Sequence, residues 1–164
     1  MSENGPRIVV GVDGSPGSRA ALRWAVRYAE QFRGEVTAVL AWAPPSFTEV
    51  APVPPPISDD ESKTRAEKGL REIVDEVTGM PVTSVRVRRE VVRGHAARAL
   101  LDRAENAELL VVGSRGHGGF VGALLGSVSQ HCVTHASCPV VVVRSPAEEQ
   151  RGCRGDVVGD ARGF

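Results

Sequence analysis

The chain has 164 residues, 41% of them hydrophobic and 24% charged, proportions that suit one soluble globular domain with room for a core. Its 20 basic and 20 acidic residues cancel, which argues against nucleic acid as the main partner. No apolar run is long enough to span a bilayer and the lead MSENGPR lacks an apolar signal core, so no membrane partner is expected and the cytoplasm is the expected compartment.

After a short polar lead, Arg7 to Val12 reads as a strand with Ile8, Val9 and Val10 in its buried run. Gly11-Val12-Asp13-Gly14-Ser15 ends it. Ser15-Pro16 then reads as N-cap and first turn of a helix, where the missing N–H of proline is no loss. That helix runs to about Phe32, with Ala21, Leu22, Ala25, Ala29 and Phe32 on its buried face and Gly34 as its stop. Glu35 to Trp42 is a second strand. Residues 43–57 hold six of the chain's 11 prolines and cannot be helical. They form a loop after a strand's carboxyl end, either a cover for a ligand or an extended connection.

Ser58-Asp59-Asp60-Glu61 opens a second helix with acid in its first turn, favourable to the helix dipole. Leu70, Ile73, Val74 and Val77 form its buried stripe, and Gly79 and Pro81 end it. Val82 to Val92 alternates Val85 and Val87 with Arg86 and Arg88, the pattern of a strand at a sheet edge. Gly94-His95-Ala96-Ala97 leads a third helix to about Ala104, and His95 reads as a surface histidine at a helix start. The apolar run Leu109 to Val112 is a fourth, fully buried strand, followed by a glycine-rich loop. Ser127 with Gln130 three residues on reads as a capping box opening a fourth helix. Cys138-Pro139 breaks that helix, and Val140 to Val143 is a fifth strand. Residues 146–164 are polar and glycine-rich without periodicity, and read as a disordered tail to a domain spanning 1–145. Five strands alternating with four helices specify an α/β three-layer sandwich with a parallel sheet, right-handed crossovers and helices on both faces.

Two features carry chemistry. The first is the strand, glycine loop and helix start between Leu109 and Gln130. Glycines let the backbone curl and approach a ligand closely. The following helix offers unsatisfied N–H groups, so an anion such as phosphate is the natural guest. The bland alternative is a flexible surface loop before an ordinary capped helix. No lysine follows the glycines, which excludes a Walker A loop; the only lysines are Lys63 and Lys68. The second feature is Asp13, either a turn-former or an acceptor for a nucleotide or its metal. His131 and His135 share a helix face, but Cys132 stands where a zinc protease has glutamate and no third ligand is evident, so no metal site is expected. The cysteines Cys132, Cys138 and Cys153 are odd in number, without metal-like spacing, and read as reduced thiols.

The spacing Gly113-x-x-Gly116, nine residues, then Gly126-Ser127 resembles the nucleotide-binding signature of the universal stress protein family. The resemblance runs from about Ile8 to Arg144 and takes in IVVGVDGS and CPVVVVR. It implies the strand order 3-2-1-4-5 and ATP, with Mg2+ on its phosphates, as the ligand. It places Gly11, Val12 and Asp13 at the nucleotide, with the backbone near Ala41 at adenine. Val112, Gly113, Ser114, Arg115, Gly116 and His117 complete one side, and Gly126, Ser127, Val128 and Ser129 hold phosphate and ribose. Ser127 and Ser129 are expected to offer hydroxyls. The resemblance also implies a homodimer paired through residues 140–144, which would cover a bare valine edge. The function expected is nucleotide-dependent regulation in a stress response. The alternatives are a slow ATP hydrolase, with His117 as the sole candidate base, or a nucleotide-free dimer acting by protein contact.

Overall fold

The computed structural model describes residues 5–43, 58–79, 83–117 and 124–146. The expectations for the proline-rich loop from 44 onward, for Pro81, and for the tail with Cys153 lie outside these residues. Strands β1 (Arg7–Gly11), β2 (Glu35–Trp42), β3 (Val87–Arg93), β4 (Leu109–Gly113) and β5 (Val140–Val143) form one parallel sheet in the order β3-β2-β1-β4-β5. Helices α1 (Pro16–Phe32), α2 (Asp59–Gly79), α3 (Ala96–Ala104) and α4 (Ser127–His135) connect them. The sandwich and the strand order are those expected.

Alternation along the strands builds two cores. Ile8, Val10, Val36, Ala38 and Val111 point to one face, where they meet Leu22 and Ala25 of α1 and Leu70, Ile73 and Val74 of α2. Val9, Val39, Leu110 and Val112 point to the other, against Leu100 of α3 and Cys132 of α4. A run such as Leu109–Val112 is apolar throughout because both faces of β4 are covered. Each fully buried Leu or Val contributes roughly 1.5–3 kcal/mol. Burial also pushes the Cys132 thiol up to about 11, which leaves it unreactive.

Local departures from the expected elements have identifiable causes. β1 ends at Gly11 rather than Val12, although the Val12 amide still donates to Val39 O at 2.9 Å. β3 begins at Val87 rather than Val82. It has one neighbour, β2, which begins at Glu35; Val36 pairs with Val87 and its amide still donates to Arg86 O (3.1 Å), but β2 has no residue left to meet 83–85. The left-handed residue ending α1 is Arg33 (φ 55°), not Gly34. Gly34 is required for another reason: a Cβ there would lie 2.5 Å from Pro6 O. Phe32 is 49% exposed rather than core, and packs against Tyr28 in a tilted pair with ring centroids 4.6 Å apart.

The capping box is also elsewhere. Ser127 is the first helical residue of α4, and its N-cap is Gly126, which forms no side-chain cap bond. The reciprocal pair occurs at α2, where the Glu61 amide donates to Ser58 Oγ (3.2 Å) and the Ser58 amide to Glu61 Oε2 (3.1 Å). α1 is capped as expected, with Ser15 Oγ accepting from the Ser18 amide at 3.2 Å.

Candidate functional site

The strand order reverses between β1 and β4, so the connections leaving their carboxyl ends diverge to opposite faces and a crevice opens between them. A cleft of about 440 Å3 lies there, within the usual range of small-molecule sites, roughly 300–1,000 Å3. The end of β1 supplies Gly11, and the turn after it Val12 and Asp13. The end of β4 and its loop supply Val112, Gly113, Arg115, Gly116 and His117. The start of α4 supplies Gly126, Ser127, Val128 and Ser129, and β2 adds Ala41. Of the residues singled out in the sequence, only Ser114 stands behind the wall. It is 2% exposed, its amide donates to Val143 O (2.8 Å), and its carbonyl accepts from the Gly126 amide (2.7 Å).

Each glycine has its own reason. A Cβ at Gly113 would lie 2.6 Å from the Gly17 carbonyl carbon, and one at Gly17 would lie 2.7 Å from Arg115 O. These two glycines let the first turn of α1 press against the loop after β4. A Cβ at Gly116 would lie 2.6 Å from Asp13 Oδ2. Gly126 meets nothing closer than 3.4 Å, so the protein itself leaves space at that position.

Asp13 is held on several sides. Its Oδ1 accepts from the Ser15 amide (2.9 Å), and its own amide donates to Ser18 Oγ (3.3 Å). Desolvation by the cleft walls raises its pKa, but hydrogen bonds from Ser15 and Ser18 and the nearby His117 outweigh that, and the net shift is downward. The carboxylate is therefore ionised at neutral pH, with Oδ2 turned toward Gly116. His117 Nε2 lies 3.0 Å from Asp13 O. A carbonyl only accepts, so that nitrogen carries the proton.

α4 begins differently. Its cap carries no side chain, and its first-turn N–H groups have no side-chain cap. Ser129 Oγ donates to Gly113 O at 2.6 Å, so its proton pins α4 to the loop rather than facing a ligand. Ser127, Val128 and Ser129 line the cleft, and the first amide of α4 bonded within the helix is that of Gln130, which donates to Gly126 O at 2.9 Å. The positive end of the α4 dipole and the cationic Arg115, which lines the cleft, make it attractive to an anion. Among the described residues no three metal-ligating side chains cluster, and the His131 and His135 rings stack with centroids 4.1 Å apart.

Apolar side chains also line the cleft, Val39, Leu100, Val112 and Leu125 with Ala41 and Ala96, as do Ser15 and Ser18 at the start of α1. Sequence reasoning did not find Val39, Ala96, Leu100, Leu125, Ser15 or Ser18 as site residues. Val39 and Leu100 look like ordinary core residues, and only the crossover of α3 beside β2 brings them to the cleft.

A doubly wound parallel sheet with a glycine-lined crevice at its switch point defines an α/β protein of the kind that binds small ligands beyond the carboxyl ends of its strands. The universal stress protein family matches residues 6–144, and the chain belongs to that family. It is 36% identical over 140 residues to a universal stress protein of Mycobacterium tuberculosis, covering 83% of this chain and 46% of that one. It is 35% identical over 139 residues to one from Mycolicibacterium smegmatis, covering 84% and 45%. The chain thus spans about half the length of these relatives. Among solved structures it resembles the stress protein UspA from Lactobacillus plantarum (TM-score 0.69, 24% identity, 87% of this chain and 100% of that one). It also resembles a universal stress protein in complex with cAMP (TM-score 0.65, 24% identity, 87% and 99%). A third is the Archaeoglobus fulgidus protein in complex with dAMP (TM-score 0.56, 18% identity, 84% and 97%). No helix among the described residues is long and apolar enough to cross a membrane.

Proposed function

We propose that the chain is a cytoplasmic regulatory protein that binds ATP in the cleft between β1 and β4. The observation that carries this reading is the start of α4: a helix N-terminus without a side-chain cap, at a cleft that apolar side chains such as Val39 and Leu100 also line. Phosphates sit at the N–H groups of Ser127, Val128 and Ser129 and along the loop from Gly113 to His117. Adenine lies toward Ala41 and Val39, and Asp13 faces the ribose or a Mg2+ on the phosphates. Two solved relatives carry adenine nucleotides, cAMP and dAMP, which supports the ligand class. A second copy pairs along 140–144 and covers the partly exposed edge of β5.

Dedicated hydrolysis finds little support. Phosphoryl transfer needs an aligned nucleophile and charge stabilisation at the γ-phosphate. The candidate base near the loop, His117, donates its Nε2 proton to Asp13 O and has only Nδ1 as a basic nitrogen, with no carboxylate pair among the described residues lining the cleft to assist it. Mass spectrometry of nucleotide released from gently purified, then denatured, protein tests the reading, with calorimetric titration of ATP and Mg2+ as its complement. ATP near one per chain, or saturable binding on titration, is expected. No release and no binding heat would remove the proposal, and released ADP with steady turnover would replace it with a hydrolase.

A further inference from the structure

The two loops that flank the cleft are 104 residues apart in sequence, and they meet at one residue, Asp13. Its carbonyl accepts from His117 Nε2 at 3.0 Å, and its Oδ2 sits where a Cβ on Gly116 would be only 2.6 Å away. Gly14, with φ +82°, follows Asp13, and a Cβ there would lie 3.7 Å from His117 Nε2. A residue with a side chain is strained at that φ. The turn after β1 is therefore shaped by Gly14, while Gly116 lets the carboxylate come close and His117 clasps the carbonyl. Asp13 is in turn fixed from behind by the Ser15 amide and Ser18 Oγ.

We propose that His117 is a positioning residue that latches the glycine loop to the turn after β1 and fixes the width of the cleft before ligand arrives. This rests on the reading of the cleft as a nucleotide site. With the latch made, the two walls are already in register and the ligand does not have to order them on binding. Without it the walls separate more readily, and the effect falls mainly on ligand release, since mutants of one binding site differ chiefly in dissociation rate.

The test uses the whole chain and a fluorescent N-methylanthraniloyl ATP in stopped-flow measurements. His117→Ala is expected to speed dissociation by about threefold to tenfold, the net worth of one hydrogen bond. The association rate stays near wild type, and the melting temperature of the ligand-free protein falls by no more than about 2–4 °C, as for any one lost hydrogen bond. His117→Gln can donate from its amide to the same carbonyl and is expected to restore slow release. An alanine variant with wild-type dissociation, or a glutamine variant as fast as alanine, would overturn the latch. A readout independent of ligand separates this outcome from failure of the nucleotide reading. Nitrogen-15 spectra of the ligand-free protein at alkaline pH are expected to show the Nε2–H tautomer of His117, and the Nδ1–H tautomer would overturn the latch. Wild-type protein that binds no nucleotide yet shows the Nε2–H tautomer overturns the function proposed for the cleft and the positioning role with it, and leaves the loop contact standing.

Discussion

Two helices start at the same cleft and start in opposite ways. α1 is closed: Ser15 Oγ accepts from the Ser18 amide, Pro16 needs no partner for its nitrogen, and Asp13 accepts from the Ser15 amide. α4 is open, with Gly126 at its cap and no side chain to fold back on the first turn. The serine at the start of α4 stands one residue too late to cap, and the hydroxyl of Ser129 is turned to Gly113 O instead. The difference separates two uses of one motif. A capped N-terminus stabilises the fold, whereas an uncapped one keeps its donors available to an anion at some cost in stability.

The comparison breaks most sharply at Gly126. Gly126→Glu places a carboxylate at the mouth of α4, where the backbone has room for a side chain. Nucleotide affinity is expected to fall by about 100-fold or more, about 2.7 kcal/mol, while the circular dichroism spectrum and melting temperature stay near wild type. Normal ATP binding in a calorimeter would refute the placement of phosphate. The reverse experiment is at α1. Ser15→Ala removes a true cap and is expected to cost about 1 kcal/mol. That corresponds to a fall in melting temperature of roughly 2–4 °C, with the dissociation constant for ATP within about twofold of wild type, well under 1.4 kcal/mol.

A smaller effect sharpens the contrast further. Gly126→Ser gives α4 the cap that α1 has, so the protein is expected to gain only a few tenths of a kcal/mol. Nucleotide binding weakens severalfold, because the new hydroxyl competes for the N–H groups the ligand uses. Urea melts and titration together check both signs, and equal or tighter binding would mean those donors do not serve the ligand. The smallest effect concerns pH. Despite desolvation, hydrogen bonds from Ser15 and Ser18 hold the Asp13 carboxyl below its ordinary range, so its contribution to stability is present above its unfolded pKa and is lost as pH falls through the lowered value. Asp13→Asn removes that contribution, and the fall in urea midpoint from neutral to acid pH should be shallower than in wild type. Parallel midpoints would show that the carboxylate gains nothing from its neighbours.

The elements were largely legible because their signals are local. Ser15-Pro16 names a helix start by its own chemistry, Leu70, Ile73, Val74 and Val77 repeat at helical spacing, and Leu109 to Val112 can only be a strand covered on both faces. The glycine spacing likewise pointed to one loop, and the residues it marked do share a cleft, apart from the buried Ser114. Local rules failed where a neighbour distant in sequence decided the outcome. Arg33 rather than Gly34 takes the left-handed turn, and Gly34 is needed instead for its close approach to Pro6.

The sequence by itself therefore determined the alternation of strands and helices, and the glycine segment that a ligand could approach. Hydrophobic period and turn chemistry act over a few residues and are written in them. Tertiary structure alone decided that Gly113 serves contact with Gly17, that Val39 and Leu100 line an apolar pocket, and that His117 reaches Asp13. Those properties belong to pairs of residues far apart in the chain, and only the packing of the sheet and its crossovers fixes the distance between them.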